Sequence, residues 1–563
     1  MTTYLGHTSV STLAWLDGGA FNVQAFGAVG DGSTDDTVAI QAAITAAMAV
    51  GTGGGTVTFP GGRDYRITAA LTVTGACTLM STDGKARLVM DTVDTPAFSV
   101  SASNVQFVGL SIRGKQSASF TDDETAIRIL GTSAASPVTN VEVRECTFSR
   151  WGAYGIYAEW LTDFAFCDNV MSDIAYGGIM VLSALRGTIS RNQITDIAPG
   201  TSGNAYGISL TRRGDQTSLV TYPRSADIVV SDNVVRDVPL WHGYDTHAGQ
   251  RCVFSGNIAY NCKRGIAVGS ATDSAGDYTI APLDVSVVNN ILDSGLSDGT
   301  AAEGITFSGT SDGGAAGAQV EYATGVVSGN VVRGYGDKTN DSSGAISTYT
   351  TRGLVIANNT IIEPSPFGVM LYQDNDGFAL SGNVAVDPWS NTVTNAALAN
   401  LRVSYNYGTA AGNTLARGSK SATYFCVRGI SVEAQTGNRV TFGANDFVMA
   451  EGNAIVADAG RAQFIAASGW GSDVGNAGAT LTWGTDPENQ LWSTALTADR
   501  TVTLATTTTV GGIPPIGAQF HCRRTGAGAF NLIVNGVNIV QNEWITCRWN
   551  GSAWVTYAKG PLV

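Results

Sequence analysis

No stretch of 18 or more apolar residues occurs in the chain, which excludes a hydrophobic helix long enough to span a bilayer. Charge is scarce: charged residues make up 14% of the sequence, where roughly a quarter is ordinary. Only six of the 32 cations are lysine and no basic patch is visible, which argues against a nucleic-acid partner. The opening MTTYLGHTSVSTLAWLDGG lacks a basic start followed by an apolar core, so it does not read as a secretory signal. Eight cysteines (77, 146, 167, 252, 262, 426, 522, 547) make no CxxC pair or other metal spacing. Most sit in alternating apolar stretches such as VRECTF and FAFCDN and read as buried free thiols, in keeping with assembly in a reducing cytoplasm. No metal and no cofactor are expected. What the chain does have is glycine, 69 of 563 residues, and 44% hydrophobic content, too much for intrinsic disorder. Its formal charge is 32 − 46 = −14.

A repeat runs through the middle. Short alternating segments each end in asparagine and resume as more apolar alternation: FAFCDNVMSDI at Asn169, GTISRNQITDI at Asn192, DIVVSDNVVRDV at Asn233, CVFSGNIAYNC at Asn257. The series continues at Asn290, Asn330, Asn359, Asn383 and Asn406, and Cys146 holds the same slot one unit earlier. The spacings are 23, 23, 41, 24, 33, 40, 29, 24 and 23 residues. A base period near 23 with inserted loops is the pattern of a parallel β-solenoid, and alternation with period 2 excludes helical repeats. Asparagine suits the turn because it tolerates left-handed backbone, and stacked copies can bond to one another. The expected fold is all-β, a right-handed parallel β-helix over residues 71–415.

Each unit carries a second landmark, a glycine followed by an apolar residue: GIYAEW, GIMVL, GISLT, GYDTH, GIAVG, GITFS, with AISTY and GVMLY further on. Strand side chains alternate faces. The residue after glycine therefore points inward, and the second and fourth after it point outward.

Residues 21–70 differ. After one strand and a turn, Asp35 or Asp36 is placed to cap a helix whose apolar stripe is Val38, Ile40, Ile44, Ala47 and Met48. A solenoid end exposes its core, so this segment reads as a cap. Phe26-Gly27-Ala28, Gly30-Asp31-Gly32, Thr34-Asp35-Asp36-Thr37, Ala39-Ile40-Gln41 and Gly54-Gly55-Thr56-Val57 with Phe59-Pro60 resemble the opening of the pectate-lyase-like right-handed β-helix superfamily. Bacteriophage tailspikes and polysaccharide depolymerases are abundant there, as are plant-wall pectinases. The likeness is close over 21–68 and specific for fold; hydrolases, lyases and adhesins share it. It implies a homotrimer whose residues 1–20 bind another phage tail protein, located in the virion as part of the phage tail, assembled in the host cytoplasm and acting at the bacterial cell surface.

Residues 416–479 read as a connecting or trimerisation region. From 480 to 563 the alternating segments ATLTW, RTVTLA, GAQFHCRR, AFNLIV and WITCRWNGSAWVTY indicate a C-terminal β-sandwich, for trimerisation or for sugar binding on exposed tryptophans. Six of the eleven tryptophans (470, 483, 492, 544, 549, 554) fall in the last hundred residues, five of them in this module.

The sequence holds four histidines, two of them in LWHGYDTHAGQ. On the rung scheme Asp245 and His247 face outward on one strand, roughly 7 Å apart. His242 takes the slot before the glycine, shared with Tyr206 one coil below, Arg264 one coil above and Glu303 two above. Neighbouring coils are about 4.8 Å apart, so Asp245 and Glu303 come to roughly 10 Å, the upper edge of what inverting glycosidases use. The candidate catalytic residues are Asp245, Glu303 and His247. Tyr206, Arg212, Trp241, His242 and Arg264 are the candidate substrate-binding residues, with walls from the insertions at 198–225, 270–283, 296–320 and 335–350. Two carboxylates suit glycoside cleavage, one as acid and one activating water or attacking the anomeric carbon. β-Elimination of a uronate would instead use His247, Arg264 and Tyr206.

A patch around Asp122, Asp123 and Glu124, or Asp374 with Asp376, is a weaker alternative. The row Asp173, Asp196, Asp237, Glu363 and Asp387, each four residues after the coil asparagine, looks catalytic but fits a turn slot. Asp374-Asn375-Asp376-Gly377 lacks the bidentate Glu of a calcium loop, and Gly51-Thr52-Gly53-Gly54-Gly55 lacks the Lys of a phosphate loop. The expected function is endo-acting hydrolysis of a bacterial surface polysaccharide (capsule, exopolysaccharide or O-antigen). A polysaccharide lyase, a non-catalytic receptor-binding adhesin and a cellular pectinase-type enzyme are the alternatives.

Overall fold

The computed structural model describes residues 19–563 apart from 118–120, 199–202, 214–217, 273–277, 296–300, 311–320, 338–342, 390–395, 403–404, 417–427, 433–437, 444, 447–454, 458–461, 465–472, 484, 487, 508–512, 515–516 and 563. The chain divides into two compact units, residues 1–335 and 336–563. Among the described residues no helix is long and apolar enough to cross a membrane.

In the first unit a helix, α1 (Thr37–Met48), covers the start of the solenoid with Ile40, Ala43, Ile44 and Ala47 buried. Val38, expected in that apolar stripe, is 82% exposed; it lies one residue off the i, i+3, i+4 row that faces the coils. The expected cap is divided between two aspartates. Asp35 accepts from the Thr37 amide at 3.1 Å. Asp36 is buried and turns back to the Val29 and Gly30 amides, at 2.6 and 3.0 Å, tying the preceding turn to the helix instead of capping it.

Beyond the cap each coil contributes three short strands, and each strand pairs in parallel with its counterpart one coil on. Leu161–Cys167, Val170–Ile174 and Gly177–Leu182 lie on Leu185–Ser190, Gln193–Ile197 and Tyr206–Thr211. Where no loop intervenes the register is the sequence period: Thr147 pairs with Val170 and Val170 with Gln193, each 23 apart. The third sheet positions the site, and its strands are β1 (Tyr154–Glu159), β2 (Gly177–Leu182), β3 (Tyr206–Thr211), β4 (Val234–His247), β5 (Ile258–Gly269) and β6 (Ile305–Ser308). They pair in that order. Ile156, Ile179, Ile208, Tyr244, Ile266 and Ile305 stack in one register on the inward side, all fully buried. Tyr244 fits this core because its hydroxyl donates to the Asn233 carbonyl at 2.8 Å.

The coil asparagines form the expected internal ladder. Asn169 Nδ2 donates to Asn192 Oδ1 at 2.9 Å, and the same bond runs from Asn192 to Asn233, Asn257, Asn290 and Asn330 at 2.9–3.0 Å. Each is fully buried, and the first bond of the column goes from the Cys146 amide to Asn169. The aspartate row is a turn row: Asp173, Asp196 and Asp237 have φ of 55°, 56° and 57°. Asparagine and aspartate enter that left-handed region more readily than other side chains.

The second unit contains more parallel coils. Gly344–Arg352 pairs with Phe367–Ser381, and the series continues through Ala397–Leu401, Arg428–Val432 and Ile455–Ala457. Coil strands thus run to Ala462–Phe464 and do not stop at 415, so the expected connecting region holds solenoid. Asn406 is also placed differently. Asn359 and Asn383 lead to Asn413 and Asn445, while Asn406 belongs to a second ladder with Asn375 and Asn438. Two interleaved ladders with steps of 30–32 residues hide the period of 23. Glu363 and Asp387, like their counterparts in the first unit, have φ of 53° and 50°.

After the coils come two four-stranded sheets of mixed direction. Trp483, Trp492, Trp549 and Trp554 are buried in this module, so packing accounts for them and they present no sugar platform; Trp470 lies outside the described residues. Of the seven described cysteines all are free, and all but Cys167 are buried; Cys426 lies outside the described residues.

Candidate functional site

The outer face of the third sheet carries the chemistry. Tyr206, His242 and Arg264 occupy one slot on β3, β4 and β5, and Ser209, Asp245 and Ala267 the next outward slot. Gly207 and Gly243 point inward, where a Cβ would strike the carbonyl of the next coil (2.4 and 3.0 Å) and side chains of the core. Tyr244 faces the core as well, so the alternation is broken at Gly243 and restarts at Tyr244, which puts Asp245 outward on β4.

Outward does not mean exposed here. Asp245 is 0% exposed, enclosed by its own neighbours. Its Oδ1 lies 3.0 Å from His242 Nδ1, and its Oδ2 accepts from Ser209 Oγ at 2.8 Å and lies 3.3 Å from His247 Nε2. Burial alone would raise this carboxyl; the His247 charge, the hydrogen bond and charge of His242 and the Ser209 hydroxyl outweigh it and hold Asp245 below the usual carboxylate range.

His242 is buried, and burial pulls it below 6.5 against the opposing pull of Asp245; the Arg264 charge lowers it further. The ring is therefore neutral at pH 7, with Nδ1–H given to Asp245 and the Nε2 lone pair turned to Arg264 Nη1 at 3.5 Å. Arg264 gives its Nε–H to Glu303 Oε2 at 2.8 Å. Trp241 stacks on His242, with centroids 4.8 Å apart and planes at 14°, and Arg264 and Lys263 lie 5.0 and 5.7 Å from its centroid. Tyr206 meets His242 edge-on at 5.6 Å. Burial, then the Asp245 charge, pushes its phenol well above 10, so it is a proton donor and no base at neutral pH.

His247 is the more open ring, with 33% of its side chain exposed. Its Nδ1 faces the Ser270 carbonyl at 3.0 Å, which can only accept, and its Nε2 faces Asp245. One buried carboxylate thus holds a neutral histidine on one oxygen and approaches a second histidine with the other.

Seven of the eight residues singled out from the sequence come together: Tyr206, Trp241, His242, Asp245, His247, Arg264 and Glu303. Arg212 does not join them. It is buried and donates from Nε to the Tyr222 carbonyl at 2.9 Å and from Nη2 to the Ser218 carbonyl at 3.3 Å, bracing a loop. Ser209, Ser270 and Lys263 were not foreseen. Ser209 was accessible to the same rung rule, being second after Gly207 as Asp245 is after Gly243. The alternative acidic patches are structural. Glu124 is buried and accepts from the Ser117 amide at 2.8 Å, Asp123 pairs with Arg128, and Asp376 pairs with Arg352 at 3.1 Å. Among the described residues no group of three His, Cys, Asp or Glu side chains is placed to hold a metal ion.

A family model described as "Right handed beta helix region" matches residues 102–292, and the solenoid is a right-handed β-helix. Two curated proteins of Azotobacter vinelandii match short segments. Mannuronan C5-epimerase AlgE3 is 64% identical over 47 residues, 8% of this chain and 2% of its own length. Alginate lyase 7 is 62% identical over 47 residues, 8% of this chain and 5% of its own. The chain thus spans between 2% and 11% of the length of the curated relatives it matches. Among solved structures, the A-module of the A. vinelandii mannuronan C-5 epimerase AlgE6 aligns at 18% identity, covering 79% of this chain and 97% of that one, with a TM-score of 0.42.

Proposed function

We propose that the chain is a polysaccharide-active enzyme whose substrate is an acidic polymer of uronic acids, and that it removes the C5 proton of a bound uronate. The observation that carries this reading is the placement of His242, with Nδ1 on the buried Asp245 carboxyl and Nε2 facing Arg264. Removing a proton α to a carboxylate needs a base and a cation that holds the carboxylate while negative charge builds on it. Asp245 fixes the tautomer so that Nε2 carries the lone pair, the orienting role an aspartate plays for histidine bases elsewhere. Arg264, 27% exposed at its side chain, binds the substrate carboxylate and draws away from Nε2 as it does so. His242 takes the C5 proton, and the electron pair moves into the carboxylate. From there the pair either expels the O4-linked sugar, leaving a C4=C5 double bond and a new chain end, or recaptures a proton at C5 with inversion. His247 and Tyr206 are the proton donors for either outcome. The names of the short-segment relatives, a mannuronan C5-epimerase and an alginate lyase, describe these two outcomes and add support.

Hydrolysis through Asp245 and Glu303 fits less well. It needs two carboxylates that reach the glycosidic bond, whereas Asp245 is enclosed, Glu303 is paired with Arg264, and His242 and Arg264 fill the space between them. Delivery by a trimeric phage tailspike at the bacterial surface is carried by the resemblance of residues 21–68 alone; a monomer in sedimentation of the intact chain removes it.

The test is incubation in D2O with mannuronan, guluronan, galacturonan and neutral capsule polymers, following double-bond absorbance, reducing ends and deuterium at C5. Deuterium or double bonds on a uronan support the proposal. Reducing ends without either on any polymer restore hydrolysis, and binding with no reaction of any kind means an adhesin.

A further inference from the structure

Three coils below the site, on the same outer face, lies an arginine–glutamate pair that the proposed chemistry does not use. Glu159, the last residue of β1, is 1% exposed at its side chain, yet it faces outward. Its two oxygens accept from Nε and Nη2 of Arg213 at 2.7 and 2.8 Å. Arg213 keeps 46% of its side chain exposed, and Tyr222 lies 5.9 Å from its guanidinium. The loop that carries it is held independently, by Arg212 on the Ser218 and Tyr222 carbonyls and by Trp160, whose indole donates to the Thr221 carbonyl at 2.9 Å and stacks on Tyr222. The Glu159 pair is therefore not needed to anchor that loop. It fixes the orientation of a half-exposed guanidinium through Nε and Nη2 and does not use Nη1.

Between this pair and the site runs an unbroken row of rings. Tyr157, Tyr154, Tyr176, Tyr206, His242 and Trp241 follow one another with centroids 5.1, 5.5, 5.5, 5.6 and 4.8 Å apart. At one end Tyr157 reaches Glu159 at 3.5 Å; at the other Arg264 lies over Trp241 and pairs with Glu303. An arginine held by a buried or half-buried glutamate thus closes each end of one aromatic row. Glu159 registers with Leu182 and Leu182 with Thr211, while Leu210 registers with Thr246, so the slot three coils above Glu159 is that of His247. Three coil steps are ~14 Å along the axis.

We infer that Arg213, preorganised by Glu159, is a distal subsite that binds a second carboxylate of the polyuronate several sugars away from the reacting one, so that the enzyme prefers long chains. A fixed guanidinium with a free edge is a receptor for a planar anion, and a polymer lying along the axial row meets both arginines while a short fragment meets one. This inference rests on the polyuronate reading above.

The test compares wild type, Arg213→Gln and Arg213→Lys on mannuronan, or on whichever uronan of the panel wild type turns over, with the trisaccharide of the same uronate as competing ligand. Arg213→Gln is expected to raise KM for polymer about tenfold, as loss of one charge-assisted contact does. The kcat and inhibition by trisaccharide stay unchanged, the unfolding temperature falls because buried Glu159 loses its partner, and Arg213→Lys recovers part of the loss. An unchanged KM overturns the subsite, and so does a parallel loss of trisaccharide inhibition, which marks a structural role. Wild type inert on every uronan overturns the functional reading and the subsite with it; wild type active with Arg213→Gln indistinguishable overturns the subsite alone.

Discussion

Two columns of side chains run along the same coils and are built by opposite rules. Inside, Asn169, Asn192, Asn233, Asn257, Asn290 and Asn330 repeat one residue and one hydrogen bond from coil to coil. Outside, the slot shared by Tyr154, Gly177, Tyr206, His242 and Arg264 changes at every step. A solenoid is stabilised by nearest-neighbour terms, so a column that must close the same bond each time keeps the same residue. The outer column is free of that demand, and the difference between neighbours there is what makes a phenol, an imidazole and a guanidinium adjacent. In a repeat protein, departure from the repeat on a solvent-side rung marks the chemistry.

The sharpest break in that comparison is His242→Ala. On the proposed role the base is lost, and general-base catalysis is worth 10²–10⁴, so kcat/KM for a uronan is expected to fall about 10³-fold. Binding of the polymer persists through Arg264 and Arg213. Steady-state kinetics beside calorimetric binding checks this, and equal loss in both refutes the assignment.

The matching change inside is Asn233→Ala. It takes the acceptor from the Asn192 backbone amide and from one hydrogen of its side-chain amide, and removes the donor to the Ile189 carbonyl, while Asn257 Oδ1 keeps the residue-233 amide. Buried groups left without partners cost roughly 1–3 kcal/mol each, so a loss of about 3 kcal/mol in denaturant unfolding is expected, with kcat and KM of the folded fraction unchanged. The two substitutions together separate the columns: one takes activity and leaves stability, the other does the reverse.

The acid limb of the pH profile comes next in size. His242 is held below 6.5 chiefly by burial, and the base must be neutral, so kcat/KM is expected to lose its activity on acidification below pH 6.5. The same shift acts on stability: the unfolded chain takes up this proton first, so the contribution is complete above 6.5 and lost as pH falls below it. Asp245 opposes the shift, and Asp245→Asn is expected to move the limb further down while lowering the maximum rate. A limb that moves up instead contradicts the pairing of Asp245 with His242.

Period 2 along strands and period 23 between coils were enough to place Tyr244 inward, Asp245 and His247 outward, and Tyr206, His242 and Arg264 in one slot. Burial of Asp245 was not legible, because it depends on two histidines and Ser209 folding over it, and alternation tells direction without telling what lies above. Arg212 and Arg213 could not be distinguished in a loop without periodicity; one went to backbone carbonyls and the other to Glu159. The coils past 415 were hidden because two asparagine ladders interleave there.

The smallest expected effect tests the comparison from its other side. Asp196 belongs to a third column, with Asp173 and Asp237, where the repeated residue is charged and a catalytic row is the tempting reading. Its φ of 56° lies in the left-handed region, where asparagine is as comfortable as aspartate and a β-branched residue is strained by about 1–2 kcal/mol. If the column is kept for its backbone, Asp196→Asn changes stability by less than about 0.5 kcal/mol and leaves kcat/KM untouched, whereas Asp196→Val loses stability and still leaves activity alone. Were the row catalytic, Asn and Val would fail alike in the assay, since both lack the carboxylate. The pair of substitutions therefore separates a residue chosen for its φ from one chosen for its charge, which sequence repetition by itself does not.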